Sequence, residues 1–273
     1  MSVRVVEARV RAVGGGRADE RMDRLAVEAA LEIRVAAAGA GEARPLTITM
    51  RTPGDDAALA AGFLFTEGLL AAAADIAAIT CPSADAVVVT LAAGVPLPEA
   101  GGGRAFAMTS ACGVCGKGSL EGLRARPAFL PPAGAPVLAA SLVATLPERL
   151  RAAQPTFAAT GGLHAAGLFT AGGVLVRAAE DVGRHNAVDK VVGAALLAGE
   201  LPASAHVLVV SGRASFELVQ KAAMAGVPIL AAVGAPSSLA VAVAVEHGLT
   251  LLGFVRDGRF NIYCGGERIG VDG

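Results

Sequence analysis

Two cysteines stand three positions apart in the stretch Thr109–Ser110–Ala111–Cys112–Gly113–Val114–Cys115–Gly116–Lys117. The thiolate is the reactive form of cysteine, and free backbone amides or nearby cations lower its pKa. Gly113 and Gly116 let amides turn inward and a partner come close, and Lys117 supplies a cation. The spacing suits three chemistries. A structural zinc site needs four ligands, and the other two cysteines, Cys81 and Cys264, belong to no second paired motif. A dithiol redox centre sets its pair at a helix start after a strand, which this glycine-rich approach does not resemble. A persulfide carrier needs one exposed nucleophile on a mobile loop. The pair alone leaves all three open in similar measure. Zinc-dependent deamination is disfavoured, because its signature requires His-x-Glu and a proline before the first cysteine. None of His164, His185, His206 and His247 has Glu two residues later, and Ala111 precedes Cys112.

A second polar cluster is Glu180–Asp181–Val182–Gly183–Arg184–His185–Asn186–Ala187–Val188–Asp189–Lys190. A strand ends before it and a helix begins near Asn186, so free amides at the helix start favour an anionic ligand. Arg184 can clamp a phosphate, His185 lies beside it, and Asn186 can cap the helix. The plainer reading is a well-capped helix with surface ion pairs; the density of charged and polar types favours a site. A third cluster is Ser211, Gly212 and Arg213, directly after an apolar run. Phe254, Val255, Arg256, Asp257, Gly258 and Arg259 follow a later run in the same way. Ligands of open α/β sheets bind beyond the carboxyl ends of strands, so these arginines and glycines predict a pocket for a phosphorylated ligand. Asp257–Gly258 is also a turn signal in its own right.

These segments need elements to hold them. Apolar residues make up 54% of the 273, which excludes a disordered chain. The net charge of −1 gives no global attraction to nucleic acid or to an anionic membrane. Arg4, Glu7, Arg9 and Arg11 interrupt any apolar signal segment, so a cytoplasmic protein with free thiols is expected. The uncharged stretch 222–245 is broken by Pro228, Gly234 and Pro236 and predicts a strand, a turn and a helix, with no membrane span. Residues 207–210, 229–233 and 249–255 are continuous apolar runs alternating with helical stretches, as parallel strands buried on both faces should be. Residues 31–35 and 46–50 alternate as an antiparallel pair, and Asp55 can cap a helix that stops at Gly68. The first 28 residues read as loosely organised. The organisation expected is a small α+β unit over 1–100, a glycine-rich catalytic loop over 101–118, and a layered α/β domain over 119–273.

The motifs together resemble the formate dehydrogenase accessory sulfurtransferases. The matching stretches are Thr52–Pro53–Gly54–Asp55–Asp56, Gly62–Phe63–Leu64–Phe65–Thr66–Glu67–Gly68, Cys112–Gly113–Val114–Cys115–Gly116, Thr160–Gly161–Gly162–Leu163–His164, the whole 180–190 segment, Ser211–Gly212–Arg213 and Gly253–Phe254–Val255–Arg256. The resemblance implies a homodimer whose C-terminal α/β domain has the cytidine deaminase-like fold without the deaminase zinc site. It implies a sulfurtransferase that receives sulfur from a cysteine desulfurase as a persulfide on Cys112, with Cys115 assisting or guarding it. The sulfur passes to the molybdenum cofactor, a bis(molybdopterin guanine dinucleotide), which then enters formate dehydrogenase. A guanine nucleotide would mimic part of that ligand, and the family's cofactor-binding stretch falls on Phe254 to Arg259. A non-enzymatic cofactor chaperone whose cysteines hold zinc is the alternative.

Overall fold

The computed structural model describes residues 3–39, 42–98, 106–107, 127 and 129–270. It opens with a hairpin of β1 (Val5–Gly14) and β2 (Arg17–Ala26), paired without a break from Val5–Ala26 to Gly14–Arg17. Gly15 and Gly16 both have positive φ, as a two-residue turn matching strand twist requires. The expectation of a loosely organised start is therefore corrected. In β1, Val6, Ala8, Val10 and Ala12 alternate with Glu7, Arg9 and Arg11, whereas β2 carries charges on both faces and shows no such period.

A five-stranded sheet follows, in the order β5–β6–β3–β4–β7. It comprises β3 (Ala29–Ala36), β4 (Arg44–Arg51), β5 (Ile76–Ser83), β6 (Ala86–Leu91) and β7 (Phe106–Ala107). The helix α1 (Asp56–Thr66) lies between β4 and β5 in the chain. Its Leu59, Ala60, Phe63 and Leu64 pack on Leu31, Ile33, Val87 and Val89 of this sheet. Gly68, at φ 76°, ends the helix as expected. Asp55 does not cap it: its backbone is left-handed and its side chain accepts from Arg4 at 2.7 Å.

The second half begins with β8 (Leu138–Ala139), α2 (Ala140–Ala152) and the short α3 (Pro155–Thr160). Then come β9 (His164–Thr170), β10 (Leu175–Asp181), α4 (Arg184–Leu197), β11 (His206–Val210), α5 (Phe216–Met224), β12 (Ile229–Ala232), α6 (Ser238–Glu246), β13 (Thr250–Arg256), β14 (Arg259–Cys264) and β15 (Ile269–Gly270). Six of these strands form one sheet in the order β10–β9–β11–β12–β13–β14. The central β11, β12 and β13 are parallel, and β9 and β14 flank them antiparallel. Val207, Leu208, Ile229, Leu230, Leu251 and Leu252 are fully buried, so the apolar runs are indeed strands covered on both faces. One face packs on α2 through Val143, Leu146 and Leu150. The other packs on α4, α5 and α6, and Ala61 and Phe65 of α1 join that core. The result is a mixed α/β protein in which α1 is shared by the layers of both sheets. Among the described residues no helix is long and apolar enough to cross a membrane.

The contact of α1 with α4 is a backbone contact. A Cβ placed on Gly62 would fall on the carbonyl oxygen of Asp189, and one on Gly193 would fall on that of Ala58 and lie 2.6 Å from Gly62 N. Neither obstacle is a flexible side-chain end, so relief requires the helices to separate. Gly193→Ala is expected to cost about 3 kcal/mol, the upper part of the range for overpacking. A urea-unfolding midpoint that does not move would refute this account of the crossing.

Candidate functional site

The strand directions bring the separate polar segments to one place. His164 at the start of β9 pairs with Asp181 at the end of β10. Val210 at the end of β11 pairs with Ala166, and β12 and β13 run parallel to β11. The turns after β10, β11, β12 and β13 thus emerge along one sheet edge, together with the start of β9 and of β14. Arg184, His185, Asn186, Ser211, Gly212, Arg213 and the run Phe254 to Arg259 all lie on that edge. Cys112 and Cys115 fall outside the described residues.

The edge has unusual backbone. Phe254 has φ 55° and Asp257 has φ 54°. A left-handed conformation at a bulky residue is an outlier that the surroundings must hold in place. Here the β13–β14 ladder is interrupted between Gly253 and Arg256, and Phe254 N donates to the Gly234 carbonyl at 3.1 Å. Gly234 and Gly253 leave no room for more: an added Cβ would come within 3.0 Å of Arg213 Cγ or 2.8 Å of Pro236 Cδ. The interrupted ladder re-aims side chains at the end of the sheet, with the Arg256 guanidinium 5.8 Å from the Phe254 ring centroid.

Behind the edge, much of the 180–190 segment binds the protein to itself. Glu180 is buried and accepts from Thr156 N at 3.0 Å and Phe157 N at 2.6 Å, satisfying the free amides of α3. Asp181 and Lys190 form a wholly buried pair at 2.8 Å. Asp189 accepts from Thr66 of α1 and from Lys221 of α5 at 2.8 and 2.9 Å. Burial alone would lower the pKa of the Lys221 ammonium, but the Asp189 and Glu67 carboxylates outweigh it and hold it above its ordinary value. Asn186 is not the helix cap expected: α4 begins at Arg184 after Gly183. Its amide donates to the Met50 carbonyl at 2.8 Å and to Asp181 at 3.1 Å. His185 is buried, with Nε2 3.3 Å from Ser215 Oγ and 3.9 Å from Glu217.

Other groups on the edge face outward or stand ready for a ligand. The buried Nε of Arg184 has no hydrogen-bond partner among the described residues. His164 is half-buried against Gly212, where an added Cβ would stand 3.4 Å from its Nδ1. Burial, and then the Arg184 charge, push its pKa below the ordinary histidine range, with Asp181 opposing them. Arg213 is exposed. A cavity of about 300 Å³ opens beside these turns. Ser211, Arg256 and Asp257 line it, as the sequence suggested, and so do Glu148, Arg151 and Gln154 from α2 and the turn after it. Those three carry no motif and precede the edge in the chain, so spacing alone could not place them there. Cys81 lies exposed on β5 and Cys264 at the end of β14. Among the described residues no three His, Cys, Asp or Glu side chains converge as metal ligands would.

The FdhD/NarQ family model matches residues 26–270. A protein of Streptomyces avermitilis named sulfur carrier protein FdhD is 52% identical over 279 residues, covering 98% of this chain and 97% of that one. One of the same name from Mycolicibacterium paratuberculosis is 51% identical over 271 residues, covering 96% and 97%. The crystal structure of a candidate formate dehydrogenase accessory protein from Desulfotalea psychrophila superposes with a TM-score of 0.79 at 27% identity, covering 98% of this chain and all of that one.

Proposed function

Because the chain belongs to the FdhD/NarQ family, we propose that it is a sulfurtransferase carrying sulfur as a persulfide on Cys112, from a cysteine desulfurase to the molybdenum cofactor of formate dehydrogenase. The observation that carries this reading is the gathering of Arg184, Ser211–Arg213 and Phe254–Arg259 on one sheet edge, in a chain half identical to named sulfur carriers. A large anionic dinucleotide such as bis(molybdopterin guanine dinucleotide) suits such an edge. Guanidinium groups match phosphate oxygens, and the Arg184 Nε, which has no hydrogen-bond partner among the described residues, offers a donor. The cytidine deaminase-like classification of residues 119–273, the homodimer and the cytoplasmic setting belong to the same proposal.

Sulfur loading is thiol exchange. The Cys112 thiolate attacks the outer sulfur of the desulfurase persulfide, a new S–S bond forms on Cys112, and the desulfurase thiolate leaves. No outside oxidant is needed. Delivery to the cofactor, which here is substrate, takes up two electrons if the sulfur ends as a sulfide-level ligand: the Cys115 thiolate would attack Cys112 Sγ, break its bond to the outer sulfur and leave a Cys112–Cys115 disulfide that a cellular dithiol reduces. The test is peptide mapping by mass after incubation with desulfurase and cysteine. One added sulfur on the Cys112 peptide, lost again when the cofactor is supplied, is the expected result. Sulfur found only on peptides of Cys115, Cys81 or Cys264 would refute the assignment. Stoichiometric zinc lost on Cys115→Ala would favour the chaperone instead.

A further inference from the structure

The β1–β2 hairpin is tied down at its base. Val27 N donates to the Arg4 carbonyl at 2.9 Å, Arg4 reaches Asp55 at 2.7 Å, and Ala26 approaches Gly162, where an added Cβ would stand 3.5 Å away. Beyond the base, residues 17–25 of β2 are exposed, and among the described residues no third strand joins the pair. The hairpin lies almost wholly ahead of residues 26–270, so the family model does not account for it. A lone two-stranded hairpin is only marginally stable in water. This one is paired over the full length of both strands without a bulge, and β2 has no proline to blunt its edge.

The turn fixes which groups β2 offers. Across the two-residue turn, Gly14 and Arg17 exchange both hydrogen bonds. Odd-numbered residues of β2 therefore bond to β1, and even-numbered ones turn amide and carbonyl outward. Arg24 N follows this rule: it donates to the carboxylate of its own neighbour, Asp23 Oδ1, at 3.0 Å. The side chains fall into two sets. On one face the hairpin matches its own charges, Glu20 opposite Arg11 and Arg24 opposite Glu7. On the other, Arg21 and Asp23 stand opposite Val10 and Ala8, with no countercharge across the ladder.

Charges on an edge strand ordinarily keep other strands away. In the run Asp19–Glu20–Arg21–Met22–Asp23–Arg24 they select one partner. A second β2 laid antiparallel across a two-fold axis meets its own copy at that axis. An axis at any charged position of the run sets like charges face to face, and Met22 alone in it carries none. With the axis at Met22, Arg21 meets Asp23 and Glu20 meets Arg24, each twice, while Asp19 meets Leu25 and Ala18 meets Ala26. The register also suits the backbone, because Glu20, Met22 and Arg24 are the positions whose amides and carbonyls point outward. Opposite charges directly across an antiparallel pair attract, and Met22, 57% exposed in the single chain, packs on its own copy.

We propose that two copies of the chain join edge to edge through β2, making a four-stranded sheet centred on Met22. The proposal names a surface for the homodimer put forward above and rests on that reading.

The test is sedimentation velocity on the full chain. The parent is expected to dimerise. Arg21→Asp and Asp23→Arg are each expected to weaken self-association by at least about tenfold, since each turns two attractions across the axis into two repulsions. Both positions are exposed, so the circular dichroism of each variant should match the parent's. Mixed in equal amounts, the two variants recover every pair, the acids of one chain facing the arginines of the other. Native mass spectrometry should then find the heterodimer in excess of either homodimer. The double variant Arg21→Asp with Asp23→Arg should recover dimerisation within one chain. Single variants that dimerise as tightly as the parent, or a mixture that stays monomeric, would overturn pairing through β2 and leave the homodimer to another surface. A parent chain that stays monomeric would overturn both.

Discussion

Cys112→Ala is expected to abolish sulfur loading, whereas Cys115→Ala still gains one sulfur on Cys112. Alanine has no nucleophile, so the exchange with the desulfurase persulfide has no attacking atom, and no partial activity should remain. The other cysteines are poor substitutes for physical reasons. Burial pushes the Cys264 thiol above its ordinary pKa, and its Sγ donates to the Leu249 carbonyl at 3.3 Å. Partial burial, reinforced by the Asp56 carboxylate, raises the Cys81 pKa as well. A raised pKa lowers the thiolate fraction on which the rate of attack depends. Glycines and Lys117 around Cys112 supply the opposite setting in the sequence. Intact-mass analysis of both variants after desulfurase treatment is decisive. A one-sulfur gain that survives Cys112→Ala would remove this residue from its role.

The sequence pattern exposed some of this arrangement and concealed the rest. The apolar runs of β11, β12 and β13 were legible because buried parallel strands need side chains that are apolar on both faces. The turn chemistry at Gly68 and at Asp257–Gly258 was legible because positive φ restricts residue choice. The hairpin of β1 and β2 was hidden because β2 is exposed on both faces and its charges follow no period, although β1 alternates. Asp55 and Asn186 look like caps by type, yet Arg4 holds the first and the Met50 carbonyl with Asp181 the second. Pairings such as Lys221 with Asp189 and Thr66 join three elements far apart in the chain, and no local spacing records them. The edge residues were found through strand ends. Gln154, which lines the cavity beside these turns, was missed because it follows a helix on the face that covers the sheet and no motif marks it.

Lys190→Met is expected to destabilise the protein by about 3–5 kcal/mol, the cost of leaving one charge of a buried pair uncompensated. The pair is tightly built in. Lys190 Nζ stands 2.8 Å from Asp181 Oδ2 and donates to the Thr52 carbonyl at 2.8 Å. Asp181 also accepts from Thr52 N at 3.1 Å, Gly183 N at 2.8 Å and Asn186 at 3.1 Å. These bonds tie the end of β4 to the junction of β10 and α4, which carries Arg184 onto the site edge. Methionine fills similar space but leaves the Asp181 carboxylate in an apolar setting, facing neutral donors only. Asp181→Asn with Lys190→Met removes both charges and should cost less than the sum of the single substitutions. Urea unfolding of the four chains at neutral pH measures each quantity. A small deficit for Lys190→Met would mean that the pair does not hold the edge as its geometry indicates.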